Sequence, residues 1–359
     1  MAVDTHMANL SNGLLVIALL AYSLAVLAFA GDFAFGRRRS GESKVALRAQ
    51  VPVLAGVGAA ADPVTQVADD IPAGDQPAGT AAGLDRTGEK SVPARAAADP
   101  RVKERPGPWI RVALAITFLG LVAHVGGLVA RGLAVHRLPW GDMYEFIVAL
   151  TCVAVIFFLG LMIKYRAYYL GLFVVGAVVV ALGLAQTVIY TAAGPLVPAL
   201  QSYWLSIHVT AITLAVGTYF VAFILGVVYL FADRHERRVK AGRPVAGEGI
   251  WGRLPAAEVL DRLSYRTVMF AFPMWTFGII AGAIWADQAW GRYWGWDPTE
   301  TWAFITWVVY ACFLHARATA GWRGRKATII QLVAFGCLLF NMIGVSLFIT
   351  GLHSYAGLN

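Results

Sequence analysis

The chain has 359 residues, 58% of them hydrophobic and only 14% charged, with 29 Lys and Arg against 21 Asp and Glu and a formal net charge of +8. Soluble domains run near one quarter charged and about 45–50% apolar, so a water-soluble globule is excluded, and so is disorder over most of the length. Cys152, Cys312 and Cys337 all fall inside apolar runs with no C-x-x-C pair, which argues against a disulfide framework or a thiolate metal site.

Uncharged runs near the length needed to cross a bilayer, about 20 residues, occur at 13–35, 109–130, 143–163, 168–190, 206–231, 267–286, 301–316 and 327–350. They predict an all-α, polytopic integral membrane protein with about eight transmembrane helices. Residues 1–36 read as a membrane anchor. Asp4 and no Lys or Arg precede its apolar run, while Arg37, Arg38 and Arg39 follow it, which is the reverse of a cleaved signal peptide.

Lys and Arg collect in cytoplasmic loops. Assigning 37–109, 164–167, 232–266 and 317–326 to that side, with Arg111 at its edge, places 26 of the 29 basic residues there. Both termini are then extracytoplasmic. The net charge is a topology signal that favours anionic inner-leaflet lipid and gives no pointer to nucleic acid. Residues 37–108 are rich in Ala, Gly, Pro and Val with no aromatic side chain, a composition that predicts a disordered cytoplasmic linker. A docking segment is the alternative. A seven-helix core is expected over 109–359.

Polar residues that survive near a bilayer are the informative ones, because each costs free energy unless partnered. The third span is preceded on the outer side by Leu138-Pro139-Trp140-Gly141-Asp142-Met143-Tyr144-Glu145. It reads either as a turn with Asp142 capping a helix and Glu145 completing a capping box, or as part of a site lining. His208 opens the fifth span just after Tyr203-Trp204.

Between the sixth and seventh spans, residues 285–302 hold five of the twelve tryptophans, Trp285, Trp290, Trp294, Trp296 and Trp302. An interfacial aromatic belt explains one or two of them. Five, with Gly291 and Gly295 interleaved, read better as an apolar platform for a large planar ligand. Asp287, Asp297 and Glu300 in the same stretch are expected to orient the loop. His353 follows the eighth span and arrives at the same outer level as His208. Two neutral imidazoles flanking an aromatic wall are what a planar iron macrocycle requires. Arg131, Arg137 and Arg292, the remaining basic residues, are partners either for haem propionates or for nearby Asp and Glu.

His315 stands alone in the inner half of the seventh span. At 1.5 Å per residue it lies about 20 Å below Trp302, while His124 lies only about 10 Å below Arg131. The two do not share one ligand, so an opposite ligand for His315 would come from another chain. His124 reads as structural, and His6 and His235 as solvated.

The stretch Trp285 to Arg317, with W-G-x-Y-W-x-W-D-P-x-E-T-W followed by L-H-A-R, resembles the tryptophan-rich "WWD" domain of haem-handling proteins. It is most similar to the CcsA (ResC) family of cytochrome c biogenesis system II. His208 in W-L-x-I-H-V and His353 in G-L-H-S-Y resemble that family's two outer histidines, and P-W-G-D-M-Y-E resembles its P-x-S-N-x-Y-E element, with Gly141-Asp142 in place of Ser-Asn. The resemblance implies a multi-pass protein of the bacterial cytoplasmic membrane, or of the thylakoid membrane in a plastid. It also implies a ResB-type membrane partner, apocytochrome c as client, thiol-reducing proteins as further partners, and haem b as the transported substrate.

In that family haem enters a site within the membrane at the position of His315, with the partner supplying the other ligand. It then moves to the outer site of His208 and His353, over Trp285, Trp290, Trp294, Trp296, Asp297 and Trp302 with Arg292 alongside. Thioether bonds join it there to a C-x-x-C-H motif, a motif this sequence lacks. The alternatives are a haem transporter without synthase activity and a haem-binding electron-transfer subunit.

Overall fold

The computed structural model describes residues 3–35, 106–195, 200–243, 254–319 and 321–353. The expected linker therefore lies outside the described residues except at its last three positions. Among the described residues eight long helices follow one another: α1 (Thr5–Phe35), α2 (Pro108–Val135), α3 (Met143–Tyr165), α4 (Gly171–Thr187, entered through a 3₁₀ turn at Tyr168–Leu170), α5 (Tyr203–Lys240), α6 (Ala257–Trp290), α7 (Pro298–Ala318) and α8 (Arg325–Leu339). A π-helical stretch, Phe340–Val345, and a last turn, Ser346–Phe348, continue α8. No strand occurs among the described residues.

The chain is an all-α, multi-pass membrane protein. Among the described residues seven helical segments are long and apolar enough to span a membrane: α1, α2, α3, α4 with its leading turn, α5, α6, and α8 with the π stretch. The eighth expected span is present as α7, whose 21 residues cover about 30 Å. It falls short in apolarity because Glu300, His315 and Arg317 sit near its ends.

Several helices outrun the uncharged runs that predict them. α5 continues to Lys240 and α6 begins at Ala257. A search for uncharged residues stops at the first charge, whereas a helix continues into water where i,i+4 pairs support it. Arg237–Asp233 at 2.8 Å and Arg262–Glu258 at 2.7 Å are such pairs.

α5 is the hub. In its most apolar window 72% of residues are buried, against 33–50% in the other spans. It packs on α3, α6 and α8, while α1 packs on α2 and α4 and α7 packs on α8 and α6. One apolar core joins α1–α4 to the C-terminal half of α5 and the start of α6. A second fills the space among α5, α6, α7 and α8.

Some polar groups inside both halves are paired across helices, as a bilayer favours. His124 is fully buried, with Nδ1 3.3 Å from the Tyr22 hydroxyl and Nε2 3.0 Å from the Val148 carbonyl, so it ties α2 to α1 and α3. Gln331 of α8 accepts from the Ser264 hydroxyl at 2.7 Å and donates to the Ala222 carbonyl at 2.6 Å, linking α6 and α5.

Candidate functional site

The start of α5, the end of α6, the start of α7 and the segment after the π stretch meet at one end of the bundle. A small apolar floor of Leu200, Leu205 and Trp285, with Trp204 and Trp290 against it, lies there. His208 occupies the second turn of α5, after Ser202 caps the helix by accepting from the Trp204 amide at 3.2 Å.

Gly278 of α6 provides the carbonyl 2.7 Å from His208 Nδ1. A carbonyl only accepts, so Nδ1 carries the proton and Nε2 the lone pair. One turn further along α6, Gly282 leaves the room for this ring: a Cβ there would lie 2.6 Å from His208 Nδ1. Gly278 and Gly282 form a G-x-x-x-G pair, the spacing that lets helices approach closely. The sequence displays this pair, and reading only polar and aromatic residues misses it.

His353 is held differently. Its Nδ1 is 2.8 Å from Asp297 Oδ2, while Asp297 Oδ1 accepts from the Leu352 amide at 2.7 Å. Asp297 is also the N-cap of α7, accepting from the Thr299 amide at 3.3 Å, and Glu300 closes a capping box. Burial alone would raise the Asp297 pKa. The hydrogen bond and charge of His353, with the Leu352 and Thr299 amides, outweigh that and hold the carboxyl below its usual range. The carboxylate therefore stays ionised beside the imidazole and fixes its Nδ1–H tautomer, as in carboxylate–histidine–metal arrangements.

Trp285, 2% exposed, joins the two histidines. Its ring lies 6.0 Å from His208 at 13° and 5.8 Å from His353 at 63°. Trp290 packs edge-on against both Trp285, at 4.8 Å, and His353, at 5.1 Å. The other three tryptophans turn elsewhere. Trp294 meets Trp296 edge-on at 5.8 Å, Trp296 leans on Phe304, and Trp302 lies 4.4 Å from Phe340 of the π stretch.

The loop between α6 and α7 is wound tightly. Gly291 ends α6 in the left-handed conformation at φ 71°, and Trp296 adopts φ 57°, a region that costs a bulky residue on the order of 1 kcal/mol or more. Glu300 holds it there by accepting from the Gly295 and Asp297 amides at 2.9 and 3.1 Å. Arg292 folds over Gly295, where a Cβ would collide with the guanidinium, and lies 3.8 Å from Glu300.

The arginines left open by the sequence are committed to carboxylates. Glu145 receives Arg131 Nε at 2.9 Å and Arg137 Nη1 at 2.7 Å, with the Gly141 amide at 2.7 Å. Asp142 caps α3 through the Glu145 amide at 2.8 Å. Glu145 reaches the amide before the cap residue, so the reciprocal capping box forms at Asp297 and Glu300 instead. Burial pushes the Asp142 carboxyl up to about 6, with Glu145 adding to the rise. The same segment sends Leu138 to an apolar groove of about 380 Å³ beside His208, shared with Ile207, Met274 and Phe277.

His315 is exposed on the last turn of α7, far along that helix from Asp297. Two residues on, Arg317 pairs with Asp261 of α6 at 2.5 Å and lies 4.8 Å over the Tyr265 ring. The structure thus brings together His208, His353, Trp285, Trp290 and Asp297, and sets His315 apart at the opposite end.

The family described as cytochrome c assembly protein matches residues 140–353, from Trp140 to His353. Cytochrome c biogenesis protein CcsA of Guillardia theta is 37% identical over 240 residues, covering 62% of this chain and 77% of its own length. The protein of that name from Synechocystis is 35% identical over 309 residues, covering 70% of this chain and 90% of its own length. Among solved structures, the cytochrome c haem lyase CcmF superposes with a TM-score of 0.55 at 16% identity, over 96% of this chain and 47% of that protein, a likeness of fold. By the extent of these matches the chain belongs to the cytochrome c assembly protein family and, within it, to the CcsA group of cytochrome c biogenesis proteins.

Proposed function

We propose that this protein, whose family places it in cytochrome c biogenesis, binds haem as a transported substrate between His208 and His353. There it presents haem to the C-x-x-C-H cysteines of an apocytochrome, acting with a ResB-type membrane partner. The observation that carries this reading is the matched tautomer of the two imidazoles. Both have Nδ1 engaged, one by the Gly278 carbonyl and one by Asp297, so each has its lone pair on Nε2, the donor that haem iron takes. Trp285 and Trp290 supply the apolar wall beside them.

The work left to this chain is orientation. The substrate cysteines are the nucleophiles, so holding the vinyl groups in reach of them supplies the rate. His315, exposed on α7, is placed to meet a ligand from the partner at an inner haem site. The basic ends of α5 and α7 lie at the cytoplasmic side in this reading. The outer site and both termini then face the other compartment, in the bacterial cytoplasmic membrane or in a thylakoid.

The test is an absorption spectrum of the purified chain with and without its ResB-type partner, joined to reconstitution in a host lacking cytochrome c maturation. A Soret band lost in His208→Ala with His353→Ala, and covalent haem on a C-x-x-C-H reporter, are the expected results. Normal haem content in both variants would sink the outer site. Haem binding without covalent product would leave a transporter.

A further inference from the structure

We propose that the inner ends of α3 and α6 hold the headgroup of an anionic phospholipid between Lys164 and Arg266. Both cations approach one aromatic ring: Lys164 Nζ lies 5.4 Å and the Arg266 guanidinium 5.7 Å from the centroid of Tyr165. α3 ends at Tyr165, and Arg266 lies in the third turn of α6, so two separate elements bring like charges to the same ring.

Three other arginines at this end of the bundle are neutralised. Arg237 has Asp233, Arg262 has Glu258 and Arg317 has Asp261. Among the described residues no carboxylate pairs with Lys164 or Arg266, and both side chains are exposed. Two cations gathered without a counter-charge repel one another, and the arrangement is relieved by an anion that reaches both.

The surroundings identify that anion. Ile163, Met269 and Phe270 are 78%, 50% and 56% exposed, on helices that are long and apolar enough to span a membrane. Toward the middle of both helices the surface within one turn of the charges is thus hydrocarbon. α3 and α6 each pack on α5 but are not among the closely packed pairs. Their side chains bridge the trough between them, Phe157 meeting Phe270 at 5.7 Å. A phosphodiester at the mouth with an acyl chain along that trough matches each part: two cations for the phosphate, the Tyr165 hydroxyl as a donor, and aromatic walls for the chain. Net negative headgroups are favoured over zwitterionic ones, whose own ammonium would meet the same two cations.

The full chain, exchanged into nanodiscs of equal phosphatidylglycerol and phosphatidylcholine, is released from them and its retained lipid counted by native mass spectrometry. Preferential retention of phosphatidylglycerol is expected, falling about fivefold for each cation removed in Lys164→Gln and Arg266→Gln. It should be unchanged in Arg262→Gln, an exposed and already paired arginine on the same helix. Circular dichroism checks that the variants fold, and Lys164→Glu with Arg266→Glu should turn enrichment into depletion. Equal retention of the two lipids, or enrichment that survives the paired substitutions, overturns the proposal. So does displacement of the lipid by millimolar glycerol phosphate, which would mark a soluble-phosphate site.

Discussion

Two helices of this protein start with the same four-residue pattern and put it to different uses. α3 begins at Asp142-Met143-Tyr144-Glu145 and α7 at Asp297-Pro298-Thr299-Glu300. In each, the aspartate caps the helix and the glutamate turns back to gather loop amides. At α3 the glutamate meets two arginines, 131 and 137, which in turn donate to the Thr191 and Gly194 carbonyls, so the motif becomes a brace between loops. At α7 the aspartate reaches 56 residues along the chain to His353, and the motif becomes the support of a candidate ligand. A cap is a local necessity, and its function is set by whatever long-range partner arrives beside it.

Removing the brace should cost the most. Glu145→Ala leaves Arg131, 2% exposed, with only Asp142 at 3.8 Å in place of its 2.9 Å partner, and breaking a buried pair costs about 3–5 kcal/mol. Thermal unfolding of the purified chain reads this, and the folded fraction should bind haem with an unaltered spectrum. A changed spectrum at unchanged stability would give the α3 motif the role assigned here to α7.

The opposite outcome is expected at α7. Asp297→Asn keeps a good cap residue yet places an amide against His353 Nδ1. Haem affinity should fall about 10–100-fold, as for other lost supports of metal-bound histidine, with stability within about 1 kcal/mol by the same thermal scan. An unchanged affinity would reduce Asp297 to a cap.

A smaller effect tests the other imidazole. Gly282→Ala introduces a Cβ within 2.6 Å of His208 Nδ1 and should displace that ring at a cost of about 1–3 kcal/mol. A shift of the haem Soret band with normal expression is the readout, and a parent-like spectrum would contradict the packing of α5 on α6.

The mildest concerns pH. The Asp142 carboxyl is raised from 3.8 to about 6 by burial, so the folded chain keeps a proton that the unfolded chain loses near 4. Stability therefore declines as pH rises through that window. Asp142→Asn, which still caps, should flatten the decline in thermal scans between pH 4 and 6. A decline of equal depth in the variant would place its origin in another group.

Much of this architecture is readable from the residues. Seven of the eight apolar runs become helices that meet the criteria for a span, and the eighth becomes α7. The histidine pair and Trp285 converge as their order along the chain requires. Helix ends are less readable, since charged turns such as Arg234–Lys240 extend α5 through pairing that an apolar run does not register. Least readable are the supports. Nothing in the spacing of Asp297 and His353 announces their bond, because it depends on how α7 and α8 pack. Gly278 acts through its carbonyl, an atom every residue has. The five tryptophans share one stretch of sequence but divide in space, two at the end of α6 by the histidines and three toward α7 and Phe340.

The π stretch Phe340–Val345 makes the distance from α8 to His353 a counted length. A π turn holds one residue more than an α turn, so deleting a single residue there, Ile343 for example, would let the helix run on as α. Everything beyond would keep its place, whereas the same deletion in the regular turns of α8 would rotate it by about 100° and take His353 from Asp297. Helical frame along α8, with its one extra residue taken up in the π stretch, decides as much as any residue's chemistry whether the histidine arrives.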